Sequence, residues 1–240
     1  MVERALSSVA DHAVTAICAG RTDAGVHALS QVVHFDTDAA RNLDAWTFGS
    51  NASLPRDVSV LWAREVANNF HARFDALYRK YSYFILNRPT RPAVLDRRIT
   101  WERRPLNVDT MQAAAAALVG EHDFSAFRAA GCQARSPVRS VHGLHIVRHG
   151  DLIRMDVSAN AFLQHMVRNI AGVLVAIGRG ERDASWAGEV LAGRDRRRGG
   201  VTAPADGLYF VGVGYPEHHE LPSDPGVAQG CPLPGLWYAP

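Results

Sequence analysis

Lysine is almost absent from this sequence: Lys80 is the single example, and arginine carries nearly all of the positive charge. Arginine suits bidentate phosphate contacts and stacking on nucleic-acid bases. Genome composition would produce the same bias, and we give that interpretation more weight. The formal net charge is only +2, so the chain is not a polybasic arm that binds nucleic acid through charge alone.

Cysteine is also scarce, and Cys18, Cys132 and Cys231 are widely spaced, odd in number and free of any CxxC pair. This pattern argues against a disulfide framework and a zinc site, and it fits a reducing compartment. The longest apolar run, Ile170–Ile177, is far too short to cross a bilayer. Met1 is not followed by the basic and then apolar segments of a secretory leader. We therefore expect a soluble cytoplasmic protein that has no membrane partner.

The chain does contain enough apolar residues to fold. At 240 residues, 47% of them apolar, it is long enough for one large domain or two ordinary ones. Apolar residues alternate with polar ones at both ends of the segment Ala19–Phe35, which reads AGRTDAGVHALSQVVHF. This alternation predicts two strands that are joined by a polar loop.

The loop between these strands sets reactive side chains among glycines. Arg21, Asp23 and His27 lie beside Gly20 and Gly25, which let the backbone bend sharply or approach a ligand closely. A carboxylate next to a guanidinium on a loop held by strands is suited to chemistry on an anionic substrate. An ion pair that only braces the turn explains the same residues equally well.

The segment AGRTDAGVHA, followed by QVVHF, resembles the active-site segment of the tRNA pseudouridine synthase A family. Further segments resemble the family in the same order along the chain, from about Val2 to Pro216: NFHARFDALYRKYSYFILN, RPAVL, DFSAFRAAGCQARSPVR, ANAFLQHMVRNIAG and GLYFVGVGYP. The resemblance implies an isomerase that converts uridine to pseudouridine at tRNA positions 38–40, in the anticodon stem-loop. It also implies a homodimer in which one tRNA contacts both subunits.

The predicted fold class is α+β. The first half is expected to contain a helix over Met1–Ala10, the two strands around the loop, a helix over Leu43–Leu54 and a strand over Val58–Glu65, an order typical of a ferredoxin-like unit without its first strand. With the resemblance, this predicts two ferredoxin-like halves that form one mixed or antiparallel sheet flanked by helices, with the active-site cleft between them. We place the N-terminal half at residues 1–73, the C-terminal half at 74–216 and a tail rich in proline and glycine at 217–240.

The start of the chain departs from the family pattern. In the family, the helix that corresponds to Met1–Ala10 follows a strand and a loop with Tyr-Asp-Gly and Gly-Trp-Gln signatures. Neither signature occurs before this helix here. A missing strand would leave a sheet edge unpaired and a helix face uncovered. We therefore expect that a chain extended upstream by one strand and its loop is more stable than the 240-residue chain.

The second half is predicted to alternate strands and helices. The predicted strands are Ala76–Asn87, Val138–His149, Leu152–Ala159 and Gly207–Tyr215, and the predicted helices are Asn107–Val119 and Asn160–Gly178. The loop Asp123–Arg135 interleaves Phe124 and Phe127 with Arg128 and Arg135, a combination that can grip looped RNA. A loop that the two phenylalanines pack onto the domain is equally consistent with this pattern.

Three residues are candidates for catalysis. The resemblance implies that Asp23 is the catalytic carboxylate, that Arg168 lies against it and that Tyr81 stacks on the target uracil. Arg168 lies within a largely apolar helical segment, where a guanidinium must find an anion; a phosphate or Asp195 would also serve. A tyrosine in a strand, such as Tyr81, more often packs in the core.

The remaining candidates would bind the substrate. The resemblance suggests that Arg21 fills the space left by the extruded base or holds the neighbouring phosphate. His27, His71, Arg73 and Arg128 complete the predicted substrate-binding set. As isolated residues, His71 and Arg73 are more often solvated.

The implied chemistry requires no cofactor. Converting uridine to pseudouridine breaks the N-glycosidic bond, turns the uracil and rejoins it through carbon, without redox change, net hydration or energy input. The sequence has neither a P-loop nor metal-ligand spacing, so we expect no metal and no nucleotide cofactor. Two alternatives remain: a non-catalytic RNA-binding module, and a hydrolase that uses Asp23. The hydrolase would require a second carboxylate as general acid, and we identify no carboxylate in these segments as a catalytic partner of Asp23.

Overall fold

The computed structural model describes residues 1–222, so Cys231 and most of the predicted tail at residues 217–240 lie outside the described residues. The helices are α1 (Val2–Ala10), α2 (Ser50–Ser53), α3 (Val108–Ala115), α4 (Met166–Gly178) and α5 (Trp186–Gly193). The strands are β1 (Ile17–Cys18), β2 (His27–Ala28), β3 (Val33–His34), β4 (Tyr78–Asn87), β5 (Thr100–Glu102), β6 (Gly120–Asp123), β7 (Val138–His149), β8 (Leu152–Ala159) and β9 (Leu208–Gly214). None of the helices in residues 1–222 is long and apolar enough to span a membrane.

The strands form a mixed seven-stranded sheet and a separate two-stranded one. The larger sheet has the order β2-β9-β4-β8-β7-β6, and β5 also pairs with β4. Its β4–β8, β7–β8 and β6–β7 pairs are antiparallel, whereas β2–β9 and β4–β5 are parallel. The predicted α+β class, with a mixed sheet flanked by helices, is therefore confirmed. The predicted single sheet is therefore not found among the described residues. Strands β1 and β3 form a separate sheet, in which Ile17 pairs with His34 and Cys18 pairs with Val33.

The chain divides into two compact units. The smaller one comprises Met1–Arg21, Gln31–Leu77 and the described residues from Val213 onward, and the larger one comprises Thr22–Ser30 and Tyr78–Gly212. In the smaller unit, α1 is amphipathic as predicted and begins without a side-chain cap. The buried cluster that α1 helps to form in the smaller unit consists of Leu6, Ala10, Val14 and Trp46.

One prediction for the smaller unit is confirmed and one needs correction. The helix predicted over Leu43–Leu54 is present from Leu43 to Ser53, and Ala45–Gly49 within it form a π-helical turn that precedes α2. The strand predicted over Val58–Glu65 is wrong, because this segment pairs with no strand. The side chain of Asn51 takes the place of a neighbouring strand: its Oδ1 accepts from the Val60 N–H at 2.7 Å and its Nδ2 donates to the Val60 carbonyl at 2.8 Å.

The larger unit is built on the long antiparallel strands β4, β7 and β8. The predicted inward residues of β8, Ile153, Met155 and Val157, are all at most 2% exposed, which confirms that face of the sheet. Helix α3 begins at Val108, one residue after the predicted start, and the side chain of Asn107 caps it by accepting from the Thr110 N–H at 3.0 Å. The prediction missed the short strands β5 and β6.

The buried helix predicted over Asn160–Gly178 begins only at Met166. The preceding residues cannot be helical because His165 has a left-handed conformation, with φ of 63°. The side chain of Asn160 accepts hydrogen bonds from the backbone N–H groups of Ser140 and Ala161 at 3.1 and 2.7 Å. These local bonds compete with helix formation, as asparagine side chains commonly do.

Candidate active site

The Asp23 loop is anchored in the larger unit by the strand that follows it. A turn closes on the Asp23 carbonyl, which accepts from the Val26 N–H at 3.1 Å. Gly25 adopts φ of 84°, a conformation that side chains rarely tolerate. Strand β2 then pairs with β9 through His27↔Tyr209 and Ala28↔Phe210. The loop is therefore held by the sheet a few residues from the carboxylate.

Asp23 and Arg168, which are 145 residues apart in sequence, are in direct contact. The Arg168 Nη1 donates to Asp23 Oδ2 at 3.0 Å, while its Nε donates to the Ala203 carbonyl at 2.8 Å. Two acceptors therefore hold the guanidinium in one orientation. The side chains of Asp23 and Arg168 are 30% and 16% exposed, so the carboxylate remains accessible while its partner is largely covered. The contact expected between these two residues is present.

The segment that carries Ala203 is itself packed tightly against α4. The Ala203 N–H donates to the Arg168 carbonyl at 3.1 Å. Gly172 lies so close to this segment that a β-carbon there would meet the Val201 carbonyl oxygen at 1.8 Å. A buried asparagine, Asn169, accepts from Thr202 Oγ1 at 2.7 Å. These contacts fix the loop that orients Arg168.

The sequence-based prediction missed His165. Its Nε2 lies 3.2 Å from the same Asp23 Oδ2 that Arg168 contacts. His165 precedes α4 directly and lies three residues before Arg168, within the segment QHMVRN. Residues three apart at a helix start lie on one side of the helix. The three-residue spacing between His165 and Arg168 was therefore the signal in the sequence that could have identified His165.

Tyr81 is only 8% exposed and packs among aromatic rings. Its ring centroid lies 5.1 Å from those of both Phe162 and Phe210, and the Phe162 ring is nearly perpendicular to it. On β4 it pairs with Val157 of β8. These contacts fit the core-packing interpretation, and stacking of Tyr81 on uracil stays a prediction.

The other predicted binding residues of the larger unit are engaged in internal contacts. The His27 ring stacks on Tyr209 at 4.5 Å between centroids, and its Nε2 lies 3.1 Å from the Arg97 carbonyl oxygen. The Arg128 Nη2 donates to the Cys132 carbonyl. In the same loop, the rings predicted to grip RNA are not available for stacking, because Phe124 and Phe127 are fully buried. The structure thus supports the alternative in which these rings pack the loop onto the domain.

Arg21, His71 and Arg73 belong to the smaller unit. Arg21 and Arg73 are exposed, and the Arg73 guanidinium lies 5.7 Å from the centroid of the Phe74 ring. The Nδ1 of His71 accepts from the N–H groups of Arg73 and Phe74, both at 3.1 Å, so it caps the turn that carries Arg73. Burial is the main cause that lowers the pKa of His34, and the neighbouring His71 lowers this pKa further.

Residues 1–222 contain no group of three or more histidine, cysteine or carboxylate side chains that could hold a metal ion. The candidate site brings together the Asp23 carboxylate and two basic side chains, Arg168 and His165. An ionised carboxylate can act as nucleophile or base.

The comparison with known families gives a direct match. A family model described as tRNA pseudouridine synthase matches residues 1–75 and 114–216. These ranges include Asp23 and Arg168 as well as His165. The chain therefore belongs to the tRNA pseudouridine synthase family.

Individual relatives agree over nearly the whole chain, and each is named tRNA pseudouridine synthase A. The chain is 56% identical to the protein of Methylococcus capsulatus over 239 residues, which are 100% of this chain and 88% of that protein. It is 61% identical to the protein of Nitrosococcus oceani, over 92% of this chain and 85% of the relative. It is 58% identical to the protein of Pseudomonas aeruginosa, over 92% of this chain and 78% of the relative.

Proposed function

We propose that this chain is an isomerase that converts uridine to pseudouridine in the anticodon stem-loop of tRNA. The observation that carries the proposal is the half-buried carboxylate of Asp23, fixed by Arg168 in a family whose members are tRNA pseudouridine synthases. The relatives at 52–61% identity carry the same activity in their names.

The reaction is a rearrangement, and its atoms balance without a co-reactant. The bond from N1 of uracil to the anomeric carbon of ribose breaks, and the base turns. A bond from C5 of uracil to that carbon forms, the C5 proton leaves and N1 gains a proton. Asp23 acts either as nucleophile on the anomeric carbon or on the uracil ring, and both routes require its ionised form.

Each partner of Asp23 has a physical role in this proposal. Arg168 orients the carboxylate through the hydrogen bond at 3.0 Å. Tyr81 contacts the uracil through its ring, and Arg21 occupies the space that the base leaves or binds the adjacent phosphate. The uridine must leave the helical stack first, which takes a few kcal/mol.

The partner of the chain in this proposal is tRNA, read through its shape and backbone more than through its bases. We further propose a cytoplasmic homodimer in which one tRNA contacts both subunits. Light scattering at several concentrations, with and without tRNA, measures the subunit number.

A single assay separates the proposal from its alternatives. Unmodified tRNA is incubated with the chain, and the nucleosides are quantified by mass spectrometry. Pseudouridine supports the proposal, free uracil indicates the hydrolase, and tRNA binding without either product indicates an RNA-binding module. Asp23→Asn should abolish pseudouridine while tRNA affinity stays within a few-fold. Asp96→Asn makes the same chemical change at an exposed position of the larger unit and serves as the matched control.

A further inference from the structure

Two basic side chains converge on one oxygen of Asp23. The Arg168 Nη1 lies 3.0 Å from Oδ2 and the His165 Nε2 lies 3.2 Å from the same atom. Among residues 1–222, no hydrogen bond reaches Oδ1. Within the described part of the chain, the two oxygens of the carboxylate are therefore not equivalent: both contacts are made by Oδ2 and neither by Oδ1.

The backbone of His165 adds a second, independent observation. Its φ of 63° and ψ of 3° lie in the left-handed region, which a residue with a β-carbon occupies at an energetic cost. Glycine or asparagine would relieve that cost, yet this position holds histidine. Backbone strain of this kind persists where the surrounding structure uses the side chain, as at active sites.

The left-handed conformation also marks where α4 begins. His165 ends the irregular segment after Asn160, α4 starts at Met166, and Arg168 lies in the first turn of the helix. The His165 side chain is 32% exposed, comparable with Asp23 at 30%. The ring and the carboxylate are therefore both partly accessible to solvent at their point of contact.

We propose that His165 is a positioning residue that holds Oδ2 of Asp23 together with Arg168, so that Oδ1 is the oxygen presented to the substrate. This inference rests on the proposed function. A holding role requires a nitrogen at the place of Nε2 but no proton transfer by the ring. It therefore predicts a different pattern of variants from a general acid or base.

Three substitutions distinguish these roles. His165→Asn accepts the left-handed backbone but is too short to reach Oδ2, so kcat should fall roughly 10–100-fold while KM for tRNA stays within about three-fold. His165→Gly relieves the backbone completely and should lose as much. His165→Gln carries an amide nitrogen at a reach similar to that of Nε2 and should recover most of the lost kcat. Full activity in His165→Gly would reduce the role of His165 to its backbone, and a dead His165→Gln would indicate proton transfer; either result overturns the proposal.

A double-mutant cycle tests the shared oxygen. Once Arg168→Leu has released Oδ2, adding His165→Asn should lower kcat by far less than it does alone; multiplicative losses would contradict a common target. The contact itself is tested without turnover, by the unfolding midpoints of Asp23→Asn, His165→Asn and the double variant. Non-additive midpoints support it and additive ones overturn it. A chain that makes no pseudouridine overturns the proposed function, whatever the midpoints show.

Discussion

The close approach of α4 to the segment before β9 makes Gly172 the position most sensitive to a small change. In Gly172→Ala, the new β-carbon would lie 1.8 Å from the Val201 carbonyl oxygen and 3.0 Å from its carbonyl carbon. The obstacle is backbone and not a flexible side chain, so the segment must recede by at least about 1 Å. That displacement breaks both hydrogen bonds between Ala203 and Arg168.

The expected loss of stability follows from these contacts. Overpacking in a tight region costs about 1–3 kcal/mol, and each hydrogen bond lost adds about 0.5–1.5 kcal/mol. The higher helix propensity of alanine returns up to about 1 kcal/mol. Gly172→Ala should therefore lower the free energy of unfolding by about 1–6 kcal/mol, and each kcal/mol corresponds to about 2–4 °C in Tm for a chain of this size.

Denaturant and thermal unfolding measure the effect, and Gly188→Ala is the matched control. The β-carbon at Gly188, in α5, would meet only the Ala117 β-carbon at 3.6 Å, an ordinary contact. The control should therefore be neutral or stabilise the chain by up to about 1 kcal/mol. The pseudouridine rate should also fall in Gly172→Ala, because Arg168 loses the acceptor for its Nε. Equal stability and turnover in Gly172→Ala and the wild type would refute this account of the α4 contact.

Three further predictions concern single side chains. Arg168→Leu should remove most turnover while tRNA affinity stays nearly unchanged. Arg168→Lys should also have low turnover, because lysine cannot bond Asp23 and Ala203 at once. Wild-type turnover in Arg168→Lys would count against this. The buried Tyr83 hydroxyl contacts Thr100 Oγ1 and the Pro204 carbonyl at 2.6 and 2.8 Å, so Tyr83→Phe should lower the unfolding free energy by about 1–3 kcal/mol, and an unchanged Tm would contradict it. Hydrogen bonding to Ser125 lowers the pKa of Asp123. The wild type should therefore be more stable than Asp123→Asn at neutral pH and should lose that advantage as the pH falls below about 4. A stability difference that does not depend on pH would disprove the linkage.

Local patterns in the sequence were sufficient for the elements whose stability is local. Aromatic and β-branched residues predicted β4, inward apolar residues predicted β8 with its partner β7, and amphipathic spacing predicted α1. Asn107 was also predictable as a helix start, since its side chain caps its own helix. The resemblance over many separate segments predicted the family, which the match to residues 1–75 and 114–216 confirms.

Other features depended on partners that are distant in sequence. The segment over Val58–Glu65 alternates like a strand, but strand formation requires a neighbour, and the amide of Asn51 occupies the backbone of Val60 instead. Likewise, the apolar run after Asn160 has helical spacing, but α4 begins only where His165 turns into the left-handed region. Periodicity does not encode which of these competing bonds forms.

The candidate site shows the same division most clearly. The sequence by itself determined that Asp23 lies on a polar loop between strands and that Arg168, in an apolar segment, must meet an anion. The family resemblance favoured Asp23 as that anion, but only the tertiary structure decided between Asp23, a phosphate and Asp195, and only it showed that Ala203 and His165 complete the arrangement. The physical reason is that a hydrogen bond between residues 145 positions apart forms only when the whole sheet and α4 are in place, so no local pattern can specify it.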